Sequence, residues 1–137
     1  MSYLDILKTQ LTVDEGSRLR PYTDTVGKIT IGIGRNLSDV GISKDEQDLM
    51  FQNDVFRADA IARDLFPTFD DLTDNRKAVL CNMAFNLGKG SLSSFVLMIS
   101  AVNQGDYATA ADRMLKSLWA IQVGGRATRL SNLMRSG

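Results

Sequence analysis

The sequence predicts an α+β fold that is mostly helical, with one small β-hairpin placed between the first helix and the rest. Apolar residues recur at helical spacing through most of the chain, and a single stretch, Lys28 to Gly34, switches to strict alternation. The length of 137 residues, with 44% hydrophobic and 23% charged residues, fits one globular domain with its own core rather than a disordered chain. That domain is expected to span 1–137, with the hairpin lobe over about 14–42 and helices in the remainder.

Each element follows from a local signal. Leu4, Leu7 and Leu11 predict a helix over 3–13, and Gly16 supplies a stop. After a turn around Val26-Gly27, Ile29, Ile31 and Ile33 alternate with Lys28, Thr30, Gly32 and Gly34, as in a strand. Thr30 then lies on the face opposite the isoleucines, so if those pack inward it faces a cleft. Ser43-Lys44-Asp45-Glu46 has the form of a capping box, opening a long helix from about 43 to 65 that Pro67 ends. Leu72 to Leu87 reads as an apolar core helix closed by Gly88, and shorter helices are expected over about 93–104, 106–118 and 125–135.

Composition removes several kinds of chemistry. There is no histidine, which excludes Ser-His and Cys-His nucleophiles and any zinc site that needs imidazole. The lone Cys81 sits in an apolar helical segment and reads as a small core residue. Carboxylates remain as the natural catalysts, with no metal or cofactor expected. The first dozen residues mix Asp5, Lys8 and Gln10 among apolar ones, unlike a signal peptide, and no run reaches membrane-spanning length. These features lead to the expectation of a soluble product of a cytoplasm with no stable membrane insertion. The net charge is zero, but residues 1–75 hold 8 basic and 14 acidic groups while 76–137 hold 8 basic and 2 acidic. A basic C-terminal half suits an anionic polymer. Nucleic acid ranks last among such partners, because no basic-aromatic motif accompanies the charge.

Cleavage of a glycosidic bond uses one carboxyl group to protonate the leaving oxygen and usually a second to direct water or attack the sugar. Glu15 and Asp24 are candidates for that pair, although acidic residues are mostly solvated surface groups. The surrounding text is more specific. It runs Glu15-Gly16, then Arg18-Leu19-x-x-Tyr22-x-Asp24, a glycine turn at Gly27, and Thr30-Ile31-Gly32-Ile33-Gly34. This segment strongly resembles the active-site region of phage lysozymes of the T-even type. Further matches are Asn82 to Gly88, which looks like that family's central helix ending, and Ser117-Leu118-Trp119 with Gly125-Arg126-Ala127-Thr128-Arg129, which looks like its C-terminal motif.

The resemblance spans roughly 3–135 and implies a lysozyme-like fold with a cleft beside the hairpin lobe. It implies Glu15 as general acid, Asp24 as the carboxylate that activates or positions water, and Thr30 as a partner of that water, with inversion at the sugar carbon. It also implies that Asn86 meets the Trp119 indole beside the cleft and that Arg126 lies near Glu15. The activity implied is a peptidoglycan hydrolase that cuts between N-acetylmuramic acid and N-acetylglucosamine, acting as an endolysin; a monomer is expected because the sequence leaves no exposed heptad or apolar stripe unassigned. Such an enzyme waits in the host cytoplasm until a separate holin opens the way to the wall. The alternative is a catalytically weak wall-binding or phage-tail module of the same fold. Arg35 stands where many relatives carry histidine and is expected to pair with Asp54. Only Asn36 to Gly41 separate the strand from the next helix, a shortened lobe, and no wall-binding extension is expected after Arg135.

Overall fold

Ser2 opens the first helix, α1 (Tyr3–Glu15), through a reciprocal cap: its hydroxyl accepts from the Asp5 N–H, and the Asp5 carboxylate accepts from the Ser2 N–H. Gly16, at φ 72°, ends the helix and sends its N–H to the Thr12 carbonyl at 3.1 Å. The helix therefore runs two residues beyond the expected end at 13 and carries Glu15 in its last turn. Its leucine stripe of Leu4, Leu7 and Leu11 stays exposed, and no α1 residue is buried.

The computed structural model describes all residues, Met1–Gly137, in two compact units, Met1–Leu49 and Met50–Gly137. Seven α-helices and one small antiparallel sheet give the expected α+β, lysozyme-like class.

Within the first unit, β1 (Arg18–Thr23), β2 (Ile29–Gly32) and β3 (Arg35–Asn36) pair antiparallel in the order β1-β2-β3. Tyr22 faces Thr30, and Thr30 faces Asn36. The register slips between Arg18 and Tyr22, next to Pro21, which has no N–H to donate and is tolerated at this edge. Both β1 and β3 fall inside the expected hairpin lobe of about 14–42, although the alternation in the sequence marked only the stretch around β2 as a strand. The face assignment of β2 is also corrected. Thr30 is buried at 4% exposure, whereas Ile29 and Ile33 are half exposed. Alternation groups residues by face but does not say which face is covered.

The long helix α2 is Lys44–Leu65, and the capping box at its start is present: Ser43 Oγ accepts from the Glu46 N–H at 3.2 Å, and Glu46 Oε1 accepts from the Ser43 N–H at 2.8 Å. Pro67 follows its end, and a 3₁₀ turn at Phe69–Asp71 leads to α3 (Asp74–Ser93), capped by Thr73. Gly88 breaks α3 at φ 76°, where the sequence placed the end of the core helix. The remaining helices are α4 (Val96–Asn103), α5 (Tyr107–Leu115), α6 (Leu118–Val123) and α7 (Gly125–Ser136). The sequence had joined 106–118 into one helix and left α6 unassigned. Ser117 divides them by accepting the Ala120 N–H on its hydroxyl at 3.2 Å, as an N-cap.

Every buried apolar residue falls between Ala58 and Met134, so the hydrophobic core belongs to the second unit. Its largest members, each under 2% exposed, include Phe66, Leu80, Leu92 and four methionines, Met83, Met98, Met114 and Met134. Met1 and Met50, by contrast, are 98% and 53% exposed. The buried Ser131 hydroxyl donates to the Ala111 carbonyl at 3.1 Å and ties α7 to α5. Arg76 on α3 caps the end of α7, donating to the carbonyls of Met134 at 2.8 Å and Arg135 at 3.1 Å while stacking on Tyr107. Cys81 is half-buried against the core, and burial pushes its thiol upward, as fits a packing residue rather than a nucleophile. No single helix is long and apolar enough to cross a membrane.

Candidate active site

Lys8, Leu11, Thr12 and Glu15 follow one another at helical spacing along one face of α1. Together with Ile33 and Gly34 these residues line an open groove of about 440 Å³ within the first unit. Glu15 lines it with an exposed side chain that has no hydrogen-bond partner in the protein. Such a group is free to hydrogen-bond a ligand laid in the groove.

Asp24 stands at the other end of β1 and is built into the hairpin turn. Its Oδ1 accepts from the N–H groups of Val26 at 3.0 Å and Lys28 at 2.8 Å, and its own N–H reaches the Lys28 carbonyl at 2.8 Å. This is an aspartate-initiated turn of the kind that short polar side chains favour. The Asp24 Oδ2 atom is left without a protein donor, so one oxygen fixes the geometry and the other is available to water. Thr30 directs its hydroxyl hydrogen to the Lys28 carbonyl at 3.1 Å, leaving the oxygen's lone pairs to accept. Lys28 thus meets both side chains through its main chain.

The sequence had suggested Asp54 as the partner of Arg35; within the first unit the guanidinium is engaged by Glu46. It forms a two-pronged bridge with Glu46, Nη1 to Oε1 at 2.7 Å and Nη2 to Oε2 at 2.6 Å, and donates to the Gly41 carbonyl at 3.1 Å. Asp54 pairs with Arg57 one turn along α2. Glu46 is held by Arg35 first and by the Ser43 backbone and hydroxyl next, which pushes its pKa down to about 2. The charged carboxylate therefore both caps α2 and clamps β3 to it.

In the second unit, Asn86 and Trp119 are brought together: the buried indole N–H donates to Asn86 Oδ1 at 2.7 Å. Removing that acceptor would leave a buried donor unpaired, at a cost of about 1–3 kcal/mol. Phe95 packs edge-on against Trp119, and both line a groove of about 500 Å³ with Ser94, Ser117 and Arg113. Arg126 gives Nε at 2.9 Å and Nη2 at 2.6 Å to Asn82 Oδ1. Asn82 was not singled out from the sequence. The signal for it was its place four residues before Asn86, on the same face of α3.

The family model for phage lysozyme matches residues 13–135, which include Glu15, Asp24, Thr30, Asn86, Trp119 and Arg126. The chain belongs to the phage lysozyme family. Among phage lysozyme relatives, Probable T4-type lysozyme 2 of Dictyostelium discoideum is 27% identical over 160 positions, covering 96% of this chain and 94% of the relative. The Endolysin of Acyrthosiphon pisum secondary endosymbiont phage 1 is 28% identical, over 88% of this chain and 82% of its own. The Pre-baseplate central spike protein Gp5 of Enterobacteria phage T4 is 30% identical over 90% of this chain, but that match takes in 26% of the spike protein. The phage lysozyme fold thus occurs both in chains of about this size and as part of a much longer one.

Proposed function

We propose that this phage lysozyme family member hydrolyses peptidoglycan at the β-1,4 bond between N-acetylmuramic acid and N-acetylglucosamine, with residues 1–137 acting as one catalytic domain. The observation that carries the reading is Glu15, an exposed and unpartnered carboxyl lining an open groove, inside a family match that includes the complete carboxylate, carboxylate and hydroxyl set. Glu15 protonates the leaving oxygen. Asp24, fixed through Oδ1, presents Oδ2 to the attacking water, and the Thr30 oxygen accepts from the same water. A glycan lying over Glu15 takes it out of water and favours the neutral, proton-donating form. Water attacks from the face opposite the leaving group, so the product inverts at the sugar carbon. Asn86, Trp119 and Arg126 support substrate binding, and the aromatic wall with hydroxyl and guanidinium groups around Trp119 suits a sugar chain.

The endolysin relatives support a role in lysis. Within that role our reading is a monomer that uses no cofactor, reaches the wall from the host cytoplasm after a separate holin acts, and binds neither nucleic acid nor membrane stably. The spike protein relative favours a second reading, in which the domain serves in a phage tail. The test compares wild type with Glu15→Gln on permeabilised Gram-negative cells, followed by mass analysis of the fragments. Clearing by wild type, reducing N-acetylmuramic acid ends, and a loss of at least about 100-fold in the variant are expected. Binding of purified wall by both proteins with clearing by neither would replace the enzyme reading with the tail-module one.

A further inference from the structure

Gly34 follows β2 at φ 70°, and the Glu15 side chain lies directly on its bare backbone. A Cβ placed at 34 would stand 2.9 Å from both Cγ and Cδ of Glu15 and 3.0 Å from its Oε2. Ordinary contact at such a position begins at 3.4 Å, so the glutamate would have to retreat by about half an ångström. Gly32, two residues earlier, has nearly the same backbone, at φ 68°, with nothing within 4 Å of its Cβ position. Backbone conformation therefore demands glycine at both sites, but only at 34 does the absent side chain make room for Glu15.

We propose that Gly34 is a positioning residue for Glu15, the surface on which the acid rests and which fixes where its carboxyl enters the groove. This rests on the reading of Glu15 as the proton donor. A side chain at 34 pushes the carboxyl away from the groove floor, and displacements of this order at a reacting group cost up to about 100-fold in rate. Substrate binding elsewhere in the groove is left in place, so the loss falls on kcat rather than KM.

The experiment compares Gly34→Ala, Gly32→Ala and Glu15→Gln with wild type on purified peptidoglycan sacculi, reading kcat, KM, the pH profile of kcat and the melting temperature. Both alanine variants carry the left-handed backbone strain and are expected to melt lower than wild type. Only Gly34→Ala should lose kcat, by about 10-fold to 100-fold, with KM changed less than about threefold and the alkaline limb of the profile displaced. Equal kcat in the two alanine variants, with Glu15→Gln inactive, would overturn the positioning role and leave the acid in place. Full activity of Glu15→Gln would overturn both.

A melting cycle covers the case in which Gly34→Ala is too unstable to assay. Glu15→Ala should raise the melting temperature of Gly34→Ala and leave that of Gly32→Ala unchanged, because only the first pair collides. The same effect in both backgrounds would remove the contact on which the inference stands.

Discussion

Asp24 is immobilised before any substrate arrives, because two main-chain N–H groups hold its Oδ1. An asparagine can offer the same oxygen to the same donors, so Asp24→Asn keeps the turn and removes only the charge. It should melt close to wild type and lose about 100-fold or more of wall-clearing activity. Asp24→Ala should lose the activity and, in addition, about 1 kcal/mol of stability. Calorimetry and a turbidity assay on the two variants check this, and an active Asp24→Asn would remove the carboxylate from the mechanism. The spacing of the motif singled out Asp24 as a candidate, but its place in the turn was overlooked, even though aspartate three residues before glycine is itself a turn signal. For Thr30 the sequence named the residue and misjudged its surroundings, since two half-exposed isoleucines beside it broke the assumption that the apolar face packs inward.

The join between β3 and α2 depends on one carboxylate with two duties. Glu46 accepts from the Ser43 N–H at the helix start and grips Arg35 through both oxygens. Because its folded pKa falls from 4.5 to about 2, the native state holds the ionised form more strongly than the unfolded chain does. That stabilisation is present above the unfolded value and is lost as pH drops through the folded one. Glu46→Gln, which can still cap the helix, should melt below wild type at neutral pH, and the gap should close between about pH 4.5 and 2. Melting curves across that range check it; a gap that persists unchanged at pH 2 would mean the charge is not the cause. The capping box was readable because its parts are three residues apart and local. The partner of Arg35 was not, since the resemblance pointed to Asp54 while β3 and the turn at Gly41 bring the guanidinium to Glu46. Elements without periodicity were also missed: β1 has an exposed Leu19 and a proline in place of alternation, and α6 is only six residues long.

Over the whole molecule, packing is divided unequally. Buried apolar side chains are all in the second unit, while the first is organised by caps, a turn, sheet pairing and an ion pair, with Thr30 as its one buried residue. The helical reading of the sequence located the core helix through Val79, Leu80, Met83, Ala84 and Leu87, of which the first four are buried and Leu87 is half-buried against the core. The same periodicity marks α1 through Leu4, Leu7 and Leu11, and those are exposed, since periodicity reports a stripe without reporting what covers it. Four of the six methionines are sealed inside that core and two lie on the surface. Sulfur chemistry turns this division into a clock. Dilute hydrogen peroxide should convert Met1 and Met50 to sulfoxides quickly, while Met83, Met98, Met114 and Met134 react only as fast as the second unit opens to admit the oxidant. Peptide mass spectrometry over time reads both rates in one tube. Each buried thioether that does react gains a polar oxygen in a place shaped for an apolar chain, so oxidation of the four should accelerate as it proceeds.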